Sequence, residues 1–164
     1  MSDIIIEKGY VPGSIGRVAE LHGNYYHKNW HFTAFFEAKV ATEIAEFIGR
    51  YNTAQDGFWT ASIGGRVEGS ITIDGIHANK EGVHLRWFIV SDILRGKGAG
   101  NWLMNEALDF CREKRYKRVY LWTFEGLDAA RHLYEKNGFT LVKEFIGDQW
   151  GTQVREQRFE LNLR

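Results

Sequence analysis

The stretch that most constrains the fold is Val83–Asn101, with the sequence VHLRWFIVSDILRGKGAGN. Its first part, Val83–Val90, is rich in β-branched and aromatic residues and predicts a strand. A glycine-rich loop follows at Arg95–Gly100, and the apolar residues of Ala99–Lys114 then recur at helical spacing. A glycine loop that opens a helix exposes backbone N–H groups beside the positive end of the helix dipole. The segment therefore predicts a strand–loop–helix unit with a site for an anion such as a pyrophosphate.

Two common classes of phosphate-binding loop do not fit this segment. A P-loop has a hydroxyl residue after its lysine to bind magnesium, whereas Gly98 follows Lys97 here. The dinucleotide fingerprint also fails, because no acidic residue near Lys117–Tyr120 is available to bind a ribose. The order Arg95-Gly96-Lys97-Gly98-Ala99-Gly100 instead fits a third class, (Q/R)xxGx(G/A).

The remaining periodicities predict an α+β fold with the element order β-α-α-β-β-β-α-β-α-β-β. In the N-terminal half we expect a strand at Ile4–Glu7, a helix from Ser14, a loop or broken helix at Asn24–Trp30, a helix over Phe32–Tyr51, and a hairpin of Gly57–Ile63 and Arg66–Ile73. In the C-terminal half we expect a strand at Arg118–Phe124, a helix at Gly126–Lys136, and strands at Phe139–Phe145 and Gln157–Leu163. Hairpins followed by a strand–helix–strand crossover imply a mixed sheet with helices on both faces, which is an α/β/α sandwich.

Length and composition limit the function classes. A chain of 164 residues suits one domain, 1–164, and its 21 basic and 21 acidic residues give no net charge. Such a chain lacks the basic field that favours nucleic-acid or anionic-membrane binding. No apolar run is long enough to span a membrane, and the first residues do not resemble a signal peptide. A single cysteine, Cys111, excludes an internal disulfide and favours a cytoplasmic location. The spacing of the histidines predicts no metal site.

Three segments together resemble the GNAT superfamily of N-acetyltransferases. They are FIVSDILRGKGAGNWLM, VYLWTFEGLDAARHLYEKNGF, and the closing strand pair around FTLVKEF and QRFELNL. The resemblance covers essentially the whole chain and implies the GNAT fold, a mixed and mostly antiparallel sheet with a splayed central pair of parallel strands. The early segment, from LHGNYYHKNW to FEAKVATEIAEFI, is similar to acetyltransferase domains fused behind MarR-type regulators. No regulator precedes it here, so a DNA-binding role is not expected.

The resemblance also implies acetyl-CoA as the co-substrate, without a metal. Backbone N–H groups would bind its pyrophosphate along Arg95, Gly96, Lys97, Gly98, Ala99, Gly100 and Asn101. The pantetheine would pair with the main chain of Phe88, Ile89 and Val90, where this strand and Arg118–Phe124 splay apart. An N–H near Ile89 or Val90 would face the thioester oxygen, and Tyr134 would protonate the leaving thiolate.

The general base is left open by the sequence. Many members of the superfamily have a glutamate on the strand before the loop, where this chain has Leu85-Arg86-Trp87. The candidates are Glu37, His22, His84 and Glu125, of which Glu37 is our expected catalytic residue.

The acceptor pocket is expected at the aromatic cluster Tyr25–Phe32, with His22, Tyr25, Trp30 and Arg86 as substrate-binding residues. The expected reaction is acetyl transfer to a primary amine, a small molecule, by direct attack in a ternary complex. A module that senses acetyl-CoA without turnover, a protein or peptide N-acetyltransferase, and a different acyl donor or a hydroxyl acceptor remain alternatives. A homodimer is left open.

Overall fold

A computed structural model describes residues 3–163 and confirms the predicted order of elements. The N-terminal half contains β1 (Ile5–Lys8), α1 (Ser14–Trp30), α2 (Ala34–Gly49), β2 (Gly57–Ile63) and β3 (Arg66–Asp74). The C-terminal half contains β4 (Val83–Val90), a 3₁₀ turn at Asp92–Leu94, α3 (Ala99–Glu113), β5 (Arg118–Phe124), α4 (Asp128–Lys136), β6 (Thr140–Gly147) and β7 (Val154–Asn162). None of the helices within the described range is long and apolar enough to cross a membrane.

The seven strands form one mixed sheet in the order β1-β2-β3-β4-β5-β7-β6. Every neighbouring pair is antiparallel except β4 and β5, which confirms the predicted sheet. Alternate residues of a strand point to opposite faces, and β2 shows the consequence. Phe58 packs in the core beneath α1 and α2, whereas Trp59 packs in the core beneath α3. Helices therefore cover both faces.

The expected break at Asn24–Trp30 is wrong, because α1 continues through it to Trp30. The segment has no proline and no glycine, and its aromatic side chains pack along the helix rather than under a loop. Tyr26 lies 5.0 Å from Phe36 and 5.9 Å from Phe124, measured between ring centroids. These contacts with α2 and β5 stabilise helix in a stretch whose composition alone suggested irregular structure. The residue after the helix, His31, caps it with a left-handed φ of 60°.

Strand β4 combines two irregularities that shape the centre of the sheet. Its parallel pairing with β5 covers only two residue pairs, Val83 with Val119 and His84 with Tyr120. Its register against β3 also shifts by one residue, because Thr72 lies opposite Arg86 but Ser70 lies opposite Ile89. A bulge of this kind bends the strand. Beyond their last pair, β4 and β5 are not paired with each other, and a gap lies between them.

The bulge is centred on Trp87, which has a left-handed φ of 48°. This conformation is unusual for a large L-residue and costs about 1–2 kcal/mol. The carbonyl oxygen of Trp87 accepts a hydrogen bond of 2.6 Å from the hydroxyl of Ser70, which is fully buried. The Ser70 hydroxyl therefore helps to hold the bulge open.

Candidate active site

A cavity of about 860 Å³ occupies the gap between β4 and β5. Both layers of helices contribute to its wall. At one end lie the glycine loop and α4, and at the other end lie α1, α2 and the β6–β7 hairpin. The cavity brings together most of the residues predicted from the sequence: His22, Tyr25, Arg86, Phe88, Ile89, Val90, Arg95, Gly96, Gly98, Ala99, Gly100, Asn101 and Tyr134.

The glycine loop presents a row of free backbone donors to this cavity. Within residues 3–163, the N–H groups of Gly96, Gly98, Ala99, Gly100 and Asn101 donate to no protein acceptor. Gly96 and Gly98 adopt φ values of 75° and 80°, a region that glycine enters without steric cost. The row ends at the N-terminus of the fifteen-residue helix α3. The arrangement suits a phosphate-bearing ligand.

The side chains around this loop differ in their suitability for ligand binding. Lys97 is exposed, does not line the cavity, and its N–H already donates to Leu94 O at 3.1 Å, so the structure does not support the expected contact. Arg95 is exposed and forms an ion pair of 2.7 Å with Asp92. Lys136 donates to Asn101 Oδ1 at 3.1 Å and brings a positive charge to the loop from α4. Sequence reasoning missed Lys136, which only the α3–α4 packing brings near.

The main chain of β4 faces the gap at alternate residues. Ser91 N–H donates to Glu68 O on β3 at 2.8 Å, and the alternation of a strand directs Ile89 N–H to β3 as well. The main-chain groups of Val90, and of Phe88 before it, therefore point into the gap. Of the two N–H groups expected to face a thioester oxygen, Val90 is better oriented than Ile89.

Two tyrosines from opposite layers meet in the cavity. Tyr134 of α4 is 6% exposed, and its ring packs against Phe88 and Phe139. Burial raises the pKa of Tyr134 well above its usual value, so the phenol keeps its proton. Burial also raises the pKa of Tyr26 on α1, with a smaller contribution from Tyr134 across the gap. The two phenols are therefore protonated donors in the same space.

The two carboxylate candidates for the general base lie outside the cavity. Glu37 is on an exposed face of α2, where its carboxylate covers Gly23 of α1. Glu125 is exposed and lies 3.7 Å from Arg155. Neither carboxylate lines the gap. The helical phase of α2 explains the position of Glu37, because it follows the buried Phe36 by one residue and so points away.

His22 is a cavity residue with one open ring nitrogen. Its Nδ1 lies 2.8 Å from Val18 O, and because a carbonyl can only accept, Nδ1 carries the hydrogen. In the neutral ring, Nε2 is then an acceptor, and it has no protein partner among the described residues. Burial lowers the pKa of His22 to about 4, against a smaller opposing effect of the bond to Val18. The ring is therefore neutral near pH 7 and presents a lone pair.

His84 also lines the cavity but lies at the closed end of the gap. Its ring stacks on Tyr120 at 4.5 Å, next to the last residue pair that joins β4 and β5. Burial lowers the pKa of His84 to about 3, with a further contribution from Arg86. His84 is thus neutral, at the opposite end of β4 from Phe88–Val90.

A chain of ion pairs borders the end of the cavity away from the glycine loop. Arg86 bridges the buried Asp74 at 3.1 Å and Glu43 of α2 at 2.8 Å. Glu43 also pairs with Lys39 at 2.7 Å. Burial opposes the ionised form of Asp74 and so tends to raise its pKa. Hydrogen bonds from Arg50 and the positive charge of Arg86 outweigh this effect, and the pKa is lowered. Arg86 is therefore held with its guanidinium at the cavity wall.

The aromatic cluster of α1 contributes less to the cavity than expected. Tyr25 lines the wall, but Trp30 does not, because its ring packs against Phe124 at 5.0 Å and over Gly126. The wall also contains Phe36 and residues that sequence reasoning missed: Lys39, Val40, Glu43, Gln149 and Trp150. The four on α2 share a helix face at spacings of three and four, a signal that could have identified them. Trp150 comes from the distant hairpin.

Within residues 3–163, no group of three or more histidine, cysteine, aspartate or glutamate side chains could hold a metal ion. The one cysteine, Cys111, is buried in α3, and burial raises the pKa of its thiol to about 12. A thiol in this environment stays protonated and is a poor nucleophile.

Comparison with known proteins gives a consistent result. The model of the acetyltransferase (GNAT) family matches residues 17–139. The fold is similar to that of a GNAT-family acetyltransferase from Staphylococcus aureus, with a TM-score of 0.78, 19% identity, and coverage of 99% of this chain and 100% of the other. It is also similar to yncA from Salmonella typhimurium, solved with its cofactor acetyl-CoA, with a TM-score of 0.75, 18% identity, and coverage of 99% and 95%. No curated protein matches the sequence.

Proposed function

The chain belongs to the acetyltransferase (GNAT) family, and on this premise we propose that it moves the acetyl group of acetyl-CoA to a primary amine by direct attack in a ternary complex. The observation that carries the proposal is the row of five free N–H groups at the start of α3, which continues into the gap beside the free main chain of β4. A pyrophosphate and a strand-like pantetheine are the chemical complements of these two features.

The loop and the strand would position the thioester. Backbone N–H groups at Gly96 and Gly98–Asn101 would bind the pyrophosphate, and Lys136 would add charge attraction. Pairing with the main chain of Phe88 and Val90 would orient the pantetheine in the gap. A strand N–H at the thioester carbonyl would stabilise the negative charge that develops on its oxygen.

Two side chains would move protons during the transfer. His22 Nε2 would accept a proton from the amine, whose nitrogen forms a bond to the acetyl carbon. The C–S bond breaks, its electron pair goes to sulfur, and Tyr134 would supply a proton to the thiolate. His22 replaces Glu37 as our candidate base, because its lone pair faces the cavity and the carboxylate of Glu37 does not.

A thiol-release assay with acetyl-CoA and a library of primary amines tests this function. We expect free CoA to appear only when an accepted amine is present, because direct attack requires both substrates together. Calorimetry with acetyl-CoA alone provides the second measurement. Tight binding of acetyl-CoA without thiol release for any amine would instead support the sensing module, and absence of binding would refute both functions.

A further inference from the structure

We propose that the acceptor carries an acidic group beside its amine, and that Lys39 and Arg86 bind this group. The proposal rests on the proposed acetyl transfer and names its substrate class: amines with a carboxylate, such as amino acids, rather than diamines or polyamines. It follows from the charges at the end of the cavity away from the glycine loop.

The charges at this end do not balance. Of the charged side chains that line the cavity at this end, Lys39 and Arg86 are cations and Glu43 is the carboxylate, while Asp74 and Arg50 lie behind the wall. His22 and His84 add no charge near pH 7, because burial keeps both neutral, and the third histidine of the cavity, His132, is on α4. The wall at this end thus presents two cations and one carboxylate to the cavity, a surface that attracts an anion and repels a second ammonium group.

The hydrogen-bonding capacity leads to the same conclusion. Glu43 uses one carboxylate oxygen for Lys39 and the other for Arg86. Asp74 lies behind Arg86, buried, with Arg50 on both of its oxygens. Neither Glu43 nor Asp74 thus has an oxygen without a cation on it for a second ammonium of the acceptor, and Asp128 of α4 is the other carboxylate that lines the cavity. Lys39 has three N–H donors and one partner, and Nε–H of Arg86 has no partner within residues 3–163, so donors remain for an anion.

The rest of this wall suits an apolar body on the acceptor. Arg86 lies over the ring of Trp87 at 4.2 Å, and Tyr25, Phe36 and Trp150 also line the cavity. Arg86 precedes Phe88 by two residues on β4, so a small acceptor could contact Arg86 while its amine reaches the thioester. The arrangement fits a compact amino acid with an apolar side chain.

Matched amines that differ only in the carboxylate test this inference. The thiol-release assay would compare phenylalanine with phenethylamine and leucine with isoamylamine, and spermidine would represent the polyamines. We expect kcat/KM to be higher by about tenfold or more for the acidic member of at least one pair, as for a charge-assisted contact. Equal or better turnover of both neutral members, or a preference for spermidine, would overturn the inference. Acetyl-CoA binding with no turnover of any amine would refute the proposed function instead.

Variants at Lys39 assign the preference to this end of the cavity. Lys39→Gln should reduce the ratio of kcat/KM between the acidic and neutral members by about fivefold or more, whereas Lys39→Arg should retain most of it. Lys28→Gln changes an exposed lysine of α1 outside the cavity and is the matched control. Arg86→Gln should abolish the preference, provided that it folds. An unchanged ratio in Lys39→Gln would overturn the assignment.

Discussion

Replacing Ser70 by alanine tests how the bulge in β4 supports catalysis. The Ser70 hydroxyl is fully buried and donates to Trp87 O at 2.6 Å. Its removal takes away the only side-chain partner of that carbonyl among the described residues, a loss worth about 1–3 kcal/mol. The left-handed conformation of Trp87 costs about 1–2 kcal/mol, a similar amount. Without the bond, the bulge therefore loses the interaction that offsets its strain.

The effect on activity follows from the register of β4. If the bulge relaxes, the residues beyond it shift relative to β3, and the N–H groups of Phe88 and Val90 turn away from the gap. Loss of one aligned oxyanion donor lowers kcat by about 100- to 1,000-fold in other enzymes. A partial displacement should therefore lower kcat in Ser70→Ala by about tenfold or more. The free energy of unfolding should fall by about 1–3 kcal/mol.

The control for this experiment is Thr60→Val. Thr60 lies opposite Ser70 on β2, is equally buried, and its hydroxyl has no partner among the described residues. Because valine removes an unsatisfied hydroxyl with little change of shape, this variant should be as stable as the parent and should keep its kcat. Both variants would be assayed by thiol release at a temperature at which each is folded. A kcat within about twofold of the parent in Ser70→Ala would refute the link between this bond and catalysis.

Three further changes test the site. Tyr134→Phe should lower kcat by about 100-fold or more with little change in acetyl-CoA affinity; a larger loss in Tyr26→Phe would reassign the acid. Gly98→Asp places a carboxylate among the loop donors and should weaken acetyl-CoA binding by about tenfold or more in calorimetry. The control variant, Gly64→Asp, changes a glycine in a turn with a similar positive φ and should bind acetyl-CoA normally. Because the pKa of His22 is about 4 in the folded protein and 6.5 ordinarily, the unfolded state binds more protons between these pH values. His22 therefore contributes about 3 kcal/mol of stability that is complete above pH 6.5 and is lost as the pH falls towards 4. In His22→Gln, the free energy of unfolding measured with denaturant should fall less between about pH 7.5 and about pH 4.5 than it does in the parent. An equal fall in both proteins would contradict the role of burial.

Local sequence patterns were sufficient for most of the fold. The bounds of β4 and β5 agree with those predicted, because alternating β-branched and aromatic residues mark a strand without reference to distant residues. The break expected in α1 shows where this reasoning ends. Asn24–Trp30 is helical because its aromatic rings contact α2 and β5, and no local pattern contains those contacts.

The candidate site likewise has features that local sequence predicts and features that depend on distant residues. The glycine loop could be predicted because its donors come from one contiguous segment at a helix start. Glu37 is predicted as the base because it is a lone charge within an aromatic stretch. The helical phase of α2 directs Lys39 and Glu43 to the cavity instead. The bond from Ser70 to Trp87 joins two strands and depends on a register shift, so no local pattern in the sequence predicts it.

The short join between β4 and β5 has a mechanical consequence. Two residue pairs join β4 to β5. The strands β1, β2, β3 and β4 and the strands β5, β7 and β6 therefore form two half-sheets that are linked at one end, as by a hinge. A co-substrate that pairs along the gap would act as a removable middle strand and clamp the halves together. At a ligand concentration of about 100 times Kd, such binding adds about 2.7 kcal/mol of stability. Amide hydrogen exchange along the gap-facing residues of β4 and β5 should therefore slow when acetyl-CoA binds, so that the rigidity of the sheet rises and falls with each catalytic cycle.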